Sequence, residues 1–262
     1  MSITRRALSL AAAGLMLGLA SGQAMADQLQ DILDAGKIRV GVIADVAPFG
    51  FVDADQKPAG LDVDVANMIA ADLGVEVEIV QMTSQNRIPY LVTDKVDVLV
   101  AVLGMTPERA KQIMFTAPYA STTAGIFGEP GTAVSGLADL EGKSIGVARG
   151  TTEDAALTAF APDANIIRFE DNATASTAYL SGQVDLYTTA DILAYELNKG
   201  DGRKLEIKVP FGADLAHMGV KANEFGMLQW LNTFIYVHHA NGDLNDLSIK
   251  WLAVPVADLP PL

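Results

Sequence analysis

Apolar and polar positions along this chain fall into short blocks whose period switches back and forth in a regular order. Residues 37–43 (KIRVGVI) form a β-branched run of strand length. Residues 62–73 change to helical spacing, with Val65, Met68, Ile69 and Leu73 on one face, Asp62 placed to cap the start and Gly74 to end it. Strands are predicted again at 76–80 and 96–102, the second apolar enough to be buried on both faces. Helices are predicted at 88–93 and 107–112. A second series starts near Ala124, with strands at 125–127, 144–148, 166–169 and 184–188 and helices at 153–160, 174–181 and 191–198. Residues 201–216 carry Gly and Pro and read as irregular; a strand at 218–220 and helices at 224–240 and 244–252 close the chain. Alternation of this kind predicts an α/β fold with largely parallel sheets. Two such series suit two compact units better than one core.

The first 26 residues stand outside this pattern. Arg5 and Arg6 precede a short apolar stretch at 7–20, and Ala24-Met25-Ala26 has the small-x-small form of a cleavage site. The stretch falls short of the roughly 20 residues needed to cross a bilayer. A cleaved signal peptide is therefore expected at 1–26, with the mature protein in the periplasm.

Charge narrows the partners. With 32 acidic against 18 basic side chains the formal net charge is −14, which argues against nucleic acid or an anionic membrane surface as a partner. An anionic ligand must then be held by a few local cations against the protein's own field. There is no cysteine, so disulfides, thiolate metal sites and a lipid anchor on cysteine are excluded. Half the residues are hydrophobic, enough for a core without disulfide support.

Several stretches together resemble a known family. Residues 36–80 (GKIRVGVIADVAPFGFVDADQKPAGLDVDVANMIAADLGVEVEIV), 92–119 (VTDKVDVLVAVLGMTPERAKQIMFTAPY), 137–154 (LADLEGKSIGVARGTTED), 181–186 and 240–252 are similar, in order, to the amino-acid type (family 3) solute-binding proteins of ABC transporters. The resemblance implies a type II periplasmic-binding-protein fold: two lobes, each a sheet flanked by helices, joined by two hinge crossings. The crossings are expected near 121–124 and 215–217, giving lobe 1 as 27–122 and 217–262 and lobe 2 as 123–216. It further implies a monomer that closes on a small carboxylate-bearing ligand, a polar or acidic amino acid, and presents it to an ABC permease in the inner membrane. A carboxylate without an amino group is the alternative ligand. No cofactor, metal or catalytic residue is expected.

The residues supply candidate chemistry for that ligand. Thr106-Pro107-Glu108-Arg109 reads as a helix start, with Thr106 as N-cap and Pro107 at the first position. A cation there opposes the helix dipole, so Arg109 suits an anion alongside, and its planar fork suits a carboxylate. An exposed pairing with Glu108 is the other reading. In the resembled family this Arg grips the ligand α-carboxylate, and the second Thr of the GTT motif, Thr152 here, joins it. Thr151 and Asp154 also have capping-box spacing, and both readings can hold together. The resemblance assigns Ser84 and Arg87 to the ligand side chain and Phe49 to aromatic packing at the rim, although alternation would send one of Phe49 and Phe51 into the core. Where many relatives carry hydroxyl residues, Ala101, Val102 and Gly104 leave a wall of mainly backbone groups, and Gly104 permits close approach.

Two further positions depart from the family. Ile43 replaces a basic side chain used by acidic-ligand binders, and Ala190 stands where an Asp receives the ligand ammonium. Asp191 or Asp45 could take that role; a lone Asp after a strand, like Asp45, also serves as a cap. His238 and His239 are adjacent, do not share a helix face, and read as ordinary surface histidines rather than metal ligands. An enzyme on the same fold, a dehydratase of cyclic acids, would need an acid or base in the cleft, and the segments expected to line it carry no His or Glu.

Overall fold

The computed structural model describes residues 28–256, so the expected signal peptide at 1–26 lies outside the described residues. Helix α1 (Gln28–Ala35) leads into β1 (Lys37–Ile43), followed by a three-stranded flap of β2 (Asp45–Val46), β3 (Gly50–Val52) and β4 (Pro58–Ala59). Then come α2 (Leu61–Leu73), β5 (Glu76–Met82), α3 (Arg87–Val92), β6 (Val98–Leu103), α4 (Pro107–Ala110) and β7 (Ile113–Gly128). The second series is β8 (Ser144–Ala148), α5 (Thr152–Phe160), β9 (Asn165–Phe169), α6 (Asn172–Leu180), β10 (Leu186–Ala190) and α7 (Asp191–Asn198). Strand β11 (Glu206–Lys221) and helices α8 (Phe225–Ala240) and α9 (Asp243–Leu252) complete it.

Eight strands lie in the order β5-β1-β6-β11-β7-β10-β8-β9. At one end β1 pairs in parallel with β5 and β6; at the other β8 pairs in parallel with β9 and β10. Between them β7 and β11 run antiparallel, each sixteen residues long and each belonging to both halves. Sequence reading expected only 125–127 and 218–220 as strands here and left 201–216 irregular, which the structure corrects. Pro210 and Gly212 are accommodated by register shifts between Ile207 and Val209 and between Pro210 and Gly212. Such bulges let a strand bend and carry residues that a regular ladder rejects.

The apolar core divides along the same line. In the first lobe Val65, Ile69, Met218 and Leu231 pack on one face of the sheet, and Leu91, Leu99, Leu103 and Ile113 on the other. In the second, Tyr179, Tyr187 and Leu205 cover one face and Ile126, Ile145 and Leu157 the other. Each fully buried residue of this kind contributes roughly 2 kcal/mol, so each lobe holds its own sheet by burial on both faces. β6 is as central as its unbroken apolar run predicts. Helix α2 ends at Gly74, whose φ of 70° is the left-handed cap predicted from its place in the sequence.

Candidate functional site

The cleft is built from turns at the strand ends that face each other between the lobes. β6 runs into one of them through Val102, whose φ is 46°. A β-branched residue in that conformation costs roughly 1–3 kcal/mol and needs support from its surroundings. Val102 N–H donates to Tyr119 Oη at 3.2 Å, and the Tyr119 hydroxyl donates to Asp62 Oδ1 at 2.6 Å. Asp62 was expected as the cap of α2, but the helix starts at Leu61 and turns Asp62 inward to this buried bond. Burial pushes the Asp62 carboxyl well above the usual carboxylate range.

Arg87 fixes the same turn from beneath. It is 3% exposed and lies at the start of α3, where Nε donates to Ser84 O at 3.0 Å. Its Nη1 donates to Ala101 O and Val102 O at 3.0 and 2.9 Å, and Nη2 reaches across the cleft to Gly150 O at 2.9 Å. Burial, then the neighbouring Arg109 charge, pull its pKa down to about 9.

Arg109 arrives at that same carbonyl from α4. Thr106 caps the helix by accepting from Arg109 N–H at 3.2 Å, with Pro107 at the first position as predicted. The guanidinium donates to Gly104 O and, at 2.9 Å, to Gly150 O. Glu108 pairs with Lys111 at 2.7 Å instead, and among the described residues no carboxylate is in direct contact with Arg109. Two cations of the first lobe thus converge on one carbonyl of the second. Gly150 has φ +72°, and a Cβ there would lie 2.8 Å from Gln85 Cα, so only glycine permits this closeness.

Beside this contact lies a cavity of about 30 Å³ lined by Ser84, Arg87, Thr152, Glu153, Asn172 and Asp214, with Ala190 and Val102 among its apolar walls. Thr152 is the first residue of α5. Thr151 caps the helix, accepting from Asp154 N–H at 3.0 Å, while Thr152 points its hydroxyl to Asp214 Oδ2 at 2.5 Å and Glu153 Oε2 at 3.2 Å. Capping and cavity lining are divided between the two threonines. Asp154, spaced for a reciprocal box, instead takes Arg168 at 2.8 Å. Loss of solvation, then the Asp214 charge, push the Glu153 carboxyl up. A Cβ on Gly104 would meet Thr152 Cγ2 at 2.5 Å and Asp214 Oδ1 at 2.6 Å, so glycine is what lets the wall close.

Of the expected ligand residues, Ser84, Arg87 and Thr152 line the cavity and Gly104 backs onto Thr152 and Asp214 in its wall, whereas Arg109 lines a neighbouring open hollow with Gly150, Thr151 and Asp154. Phe49 does not reach the rim; it is fully buried in the first lobe's core. Asp45 faces the other lobe and accepts from the N–H groups of Asn172 and Ala173, at 2.7 and 3.2 Å. Asp191 accepts from Ile192 N–H at 2.7 Å and Thr123 N–H at 3.2 Å. Both aspartates are therefore engaged by backbone amides. Glu153 and Asp214 were not anticipated. The first follows Thr152 directly, and the statement that no Glu lines the cleft is corrected by it. Asp214 fell in the segment read as irregular, so its alternation toward Thr122 and the cleft was not visible.

His238 is buried rather than at the surface. Its Nδ1 lies 2.6 Å from Asp243 Oδ2 and its Nε2 2.8 Å from Asp72 Oδ2, which pins α8 to α9 and α2. Among the described residues no three His, Cys, Asp or Glu side chains converge to hold a metal. A larger surface groove of about 360 Å³ lies beside α1, but Arg39 and Lys221 within it are paired with Asp97 and Asp94. No described helix is long and apolar enough to cross a membrane.

Two α/β lobes that share a pair of strands, with cationic and acidic side chains meeting between them, define a two-lobed binding protein. The chain belongs to the bacterial extracellular solute-binding proteins, family 3, whose sequence profile matches residues 38–254. It is 28% identical to the ABC transporter glutamine-binding protein GlnH of Bacillus subtilis, over 90% of this chain and 88% of that one. It is 26% identical to the ABC transporter arginine-binding protein 1 of Escherichia coli, over 83% and 91%. Among solved structures, an ancestral amino-acid-binding protein described as a precursor of cyclohexadienyl dehydratase superposes with a TM-score of 0.79 at 31% identity, over 85% and 98%.

Proposed function

We propose that this protein captures a polar α-amino acid between its lobes and delivers it to an ABC permease. The observation that carries the proposal is the convergence of Arg109 and Arg87 on the Gly150 carbonyl beside Thr152. Arg109 spends its donors on neutral carbonyls, and a ligand carboxylate is the stronger acceptor for the same fork. Closure around the ligand is by the hinge where β7 and β11 cross, with lobe 1 as 27–122 and 217–262 and lobe 2 as 123–216; the separate apolar clusters support a division into two lobes, while Ala216 and Ile192, at the junction, pack with the first lobe's core. The protein is exported after cleavage near Ala26 and works as a monomer.

An acidic ligand side chain is disfavoured. Arg87 already serves four carbonyls, and a second ligand carboxylate would meet Glu153 and Asp214. A dehydratase reading draws on Glu153, an acid shielded in the cavity with a raised pKa, and on the ancestral relative. Transport binding is preferred because the curated relatives are named for it over most of their length.

A thermal-shift screen over the L-amino acids, dicarboxylates and amine-free carboxylates tests the proposal. A ligand at a hundred times its Kd adds about 2.7 kcal/mol to stability, so a polar amino acid should raise Tm clearly. A shift with amine-free carboxylates and none with any amino acid would overturn it.

A further inference from the structure

The solutes named for the two curated relatives, glutamine and arginine, each carry one α-ammonium beside the α-carboxylate. A closed site for such a molecule must neutralise a cation as well as an anion, since an unpaired buried charge is expensive. Ala190 lines the cavity without a charge. Asp45 and Asp191 spend their carboxylates on backbone amides. The acids that do line the cavity are Asp214 and Glu153.

We propose that Asp214 is the acceptor for the ligand's α-ammonium, with Glu153 as its second partner and Thr152 between them. The inference rests on the amino-acid reading above. Three observations support it. Thr152 Oγ1 lies 2.5 Å from Asp214 Oδ2 and 3.2 Å from Glu153 Oε2, but a hydroxyl has one hydrogen to give. Two carboxylates sharing one donor in a shielded space repel each other, and an ammonium supplies both the opposing charge and three donors. The cations nearby act on them only through space, because the described hydrogen bonds of the Arg87 and Arg109 guanidinium groups all go to carbonyls, so neither acid has a direct cationic partner there. Finally, Asp214 is register partner to Thr122 where the two long strands cross, and Gly104 is bare of side chain just where Asp214 Oδ1 comes within 2.6 Å of its would-be Cβ. The acceptor for the cation therefore stands on the hinge, while the carboxylate grip stands on Arg109 in the first lobe.

The test compares each bound L-amino acid with the same molecule carrying hydrogen in place of its α-amino group, by calorimetry, starting from L-glutamine and L-arginine and extending through the standard set. The wild type should prefer the amino acid, and Asp214→Asn should shrink that preference by about thirtyfold or more while binding of the amine-free acid changes by less than about threefold. Glu153→Gln should shrink it in the same direction, and it carries the test if Asp214→Asn fails to fold by circular dichroism. Retention of the full preference in the folded variant would overturn the role of Asp214 and leave the amino-acid reading standing. A wild type that binds no amino acid would remove that reading, and this inference with it.

Discussion

The carboxylate of Asp45, the first residue of β2, accepts a hydrogen bond at 2.7 Å from the backbone N–H of Asn172, the first residue of α6 in the opposite lobe. The same oxygen takes Ala173 N–H, while the helix's own cap, Asp171, takes Thr174 N–H at 2.7 Å. One lobe thus finishes the capping of a helix in the other, and only when the two are together. Replacing a helix-capping Asp by Ala typically costs about 1 kcal/mol. Asp45→Ala should therefore weaken closure without unfolding either lobe. Small-angle scattering should report a larger mean radius of gyration, with the melting temperature of each lobe little changed. An unaltered scattering profile would show that the cross-lobe cap does not contribute.

Gly104 makes a second prediction about closure. A methyl group there must displace Thr152 and Asp214, and overpacking of this kind costs about 1–3 kcal/mol. Because the clash exists only across the closed cleft, Gly104→Ala should lower affinity for the bound amino acid about tenfold or more. Denaturation of the variant should match the wild type. Calorimetry and urea titration read the two effects separately.

His238 predicts a pH dependence. Burial pulls its pKa down, and the hydrogen bonds to Asp72 and Asp243 more than reverse this, so the net shift is upward. A folded-state pKa above the unfolded value adds stability that is complete below the unfolded pKa and lost as pH rises through the folded one. The Tm advantage of the wild type over His238→Asn should accordingly be larger on the acidic side of about pH 6.5 and shrink as the solution becomes alkaline. Melting curves across that range, for both proteins, measure it. An advantage that grew with pH would show that the ring is held neutral.

How far the sequence reveals this molecule depends on which signal each feature uses. Periodicity locates β1, β8 and α7 to the residue, because their apolar spacing and end signals agree. It misses most of β7 and β11, whose prolines, glycines and bulges are the marks of a strand that bends between two lobes. The Thr106-Pro107 start that aims Arg109 is legible, since capping is local chemistry. The partners of Asp45, Arg87 and His238 lie far off in sequence, and no spacing rule points to Asn172, Gly150 or Asp72. Phe49 shows the opposite error: the resemblance implies an aromatic at the rim, but here the side chain is buried in the core.

The shared pair of long strands also governs the order in which the molecule can assemble. β11 sits between β6 and β7, so the first lobe's sheet needs Leu99 to meet Gly219, with the whole second lobe intervening. Closing so long a loop is entropically costly and slow. The second lobe is one continuous stretch, and its folding sets Ala124 opposite Gly212 on β7 and β11. Those strand ends then emerge side by side, and the distant segments of the first lobe start their search as near neighbours. The strand pair proposed as the hinge is, during folding, a splint.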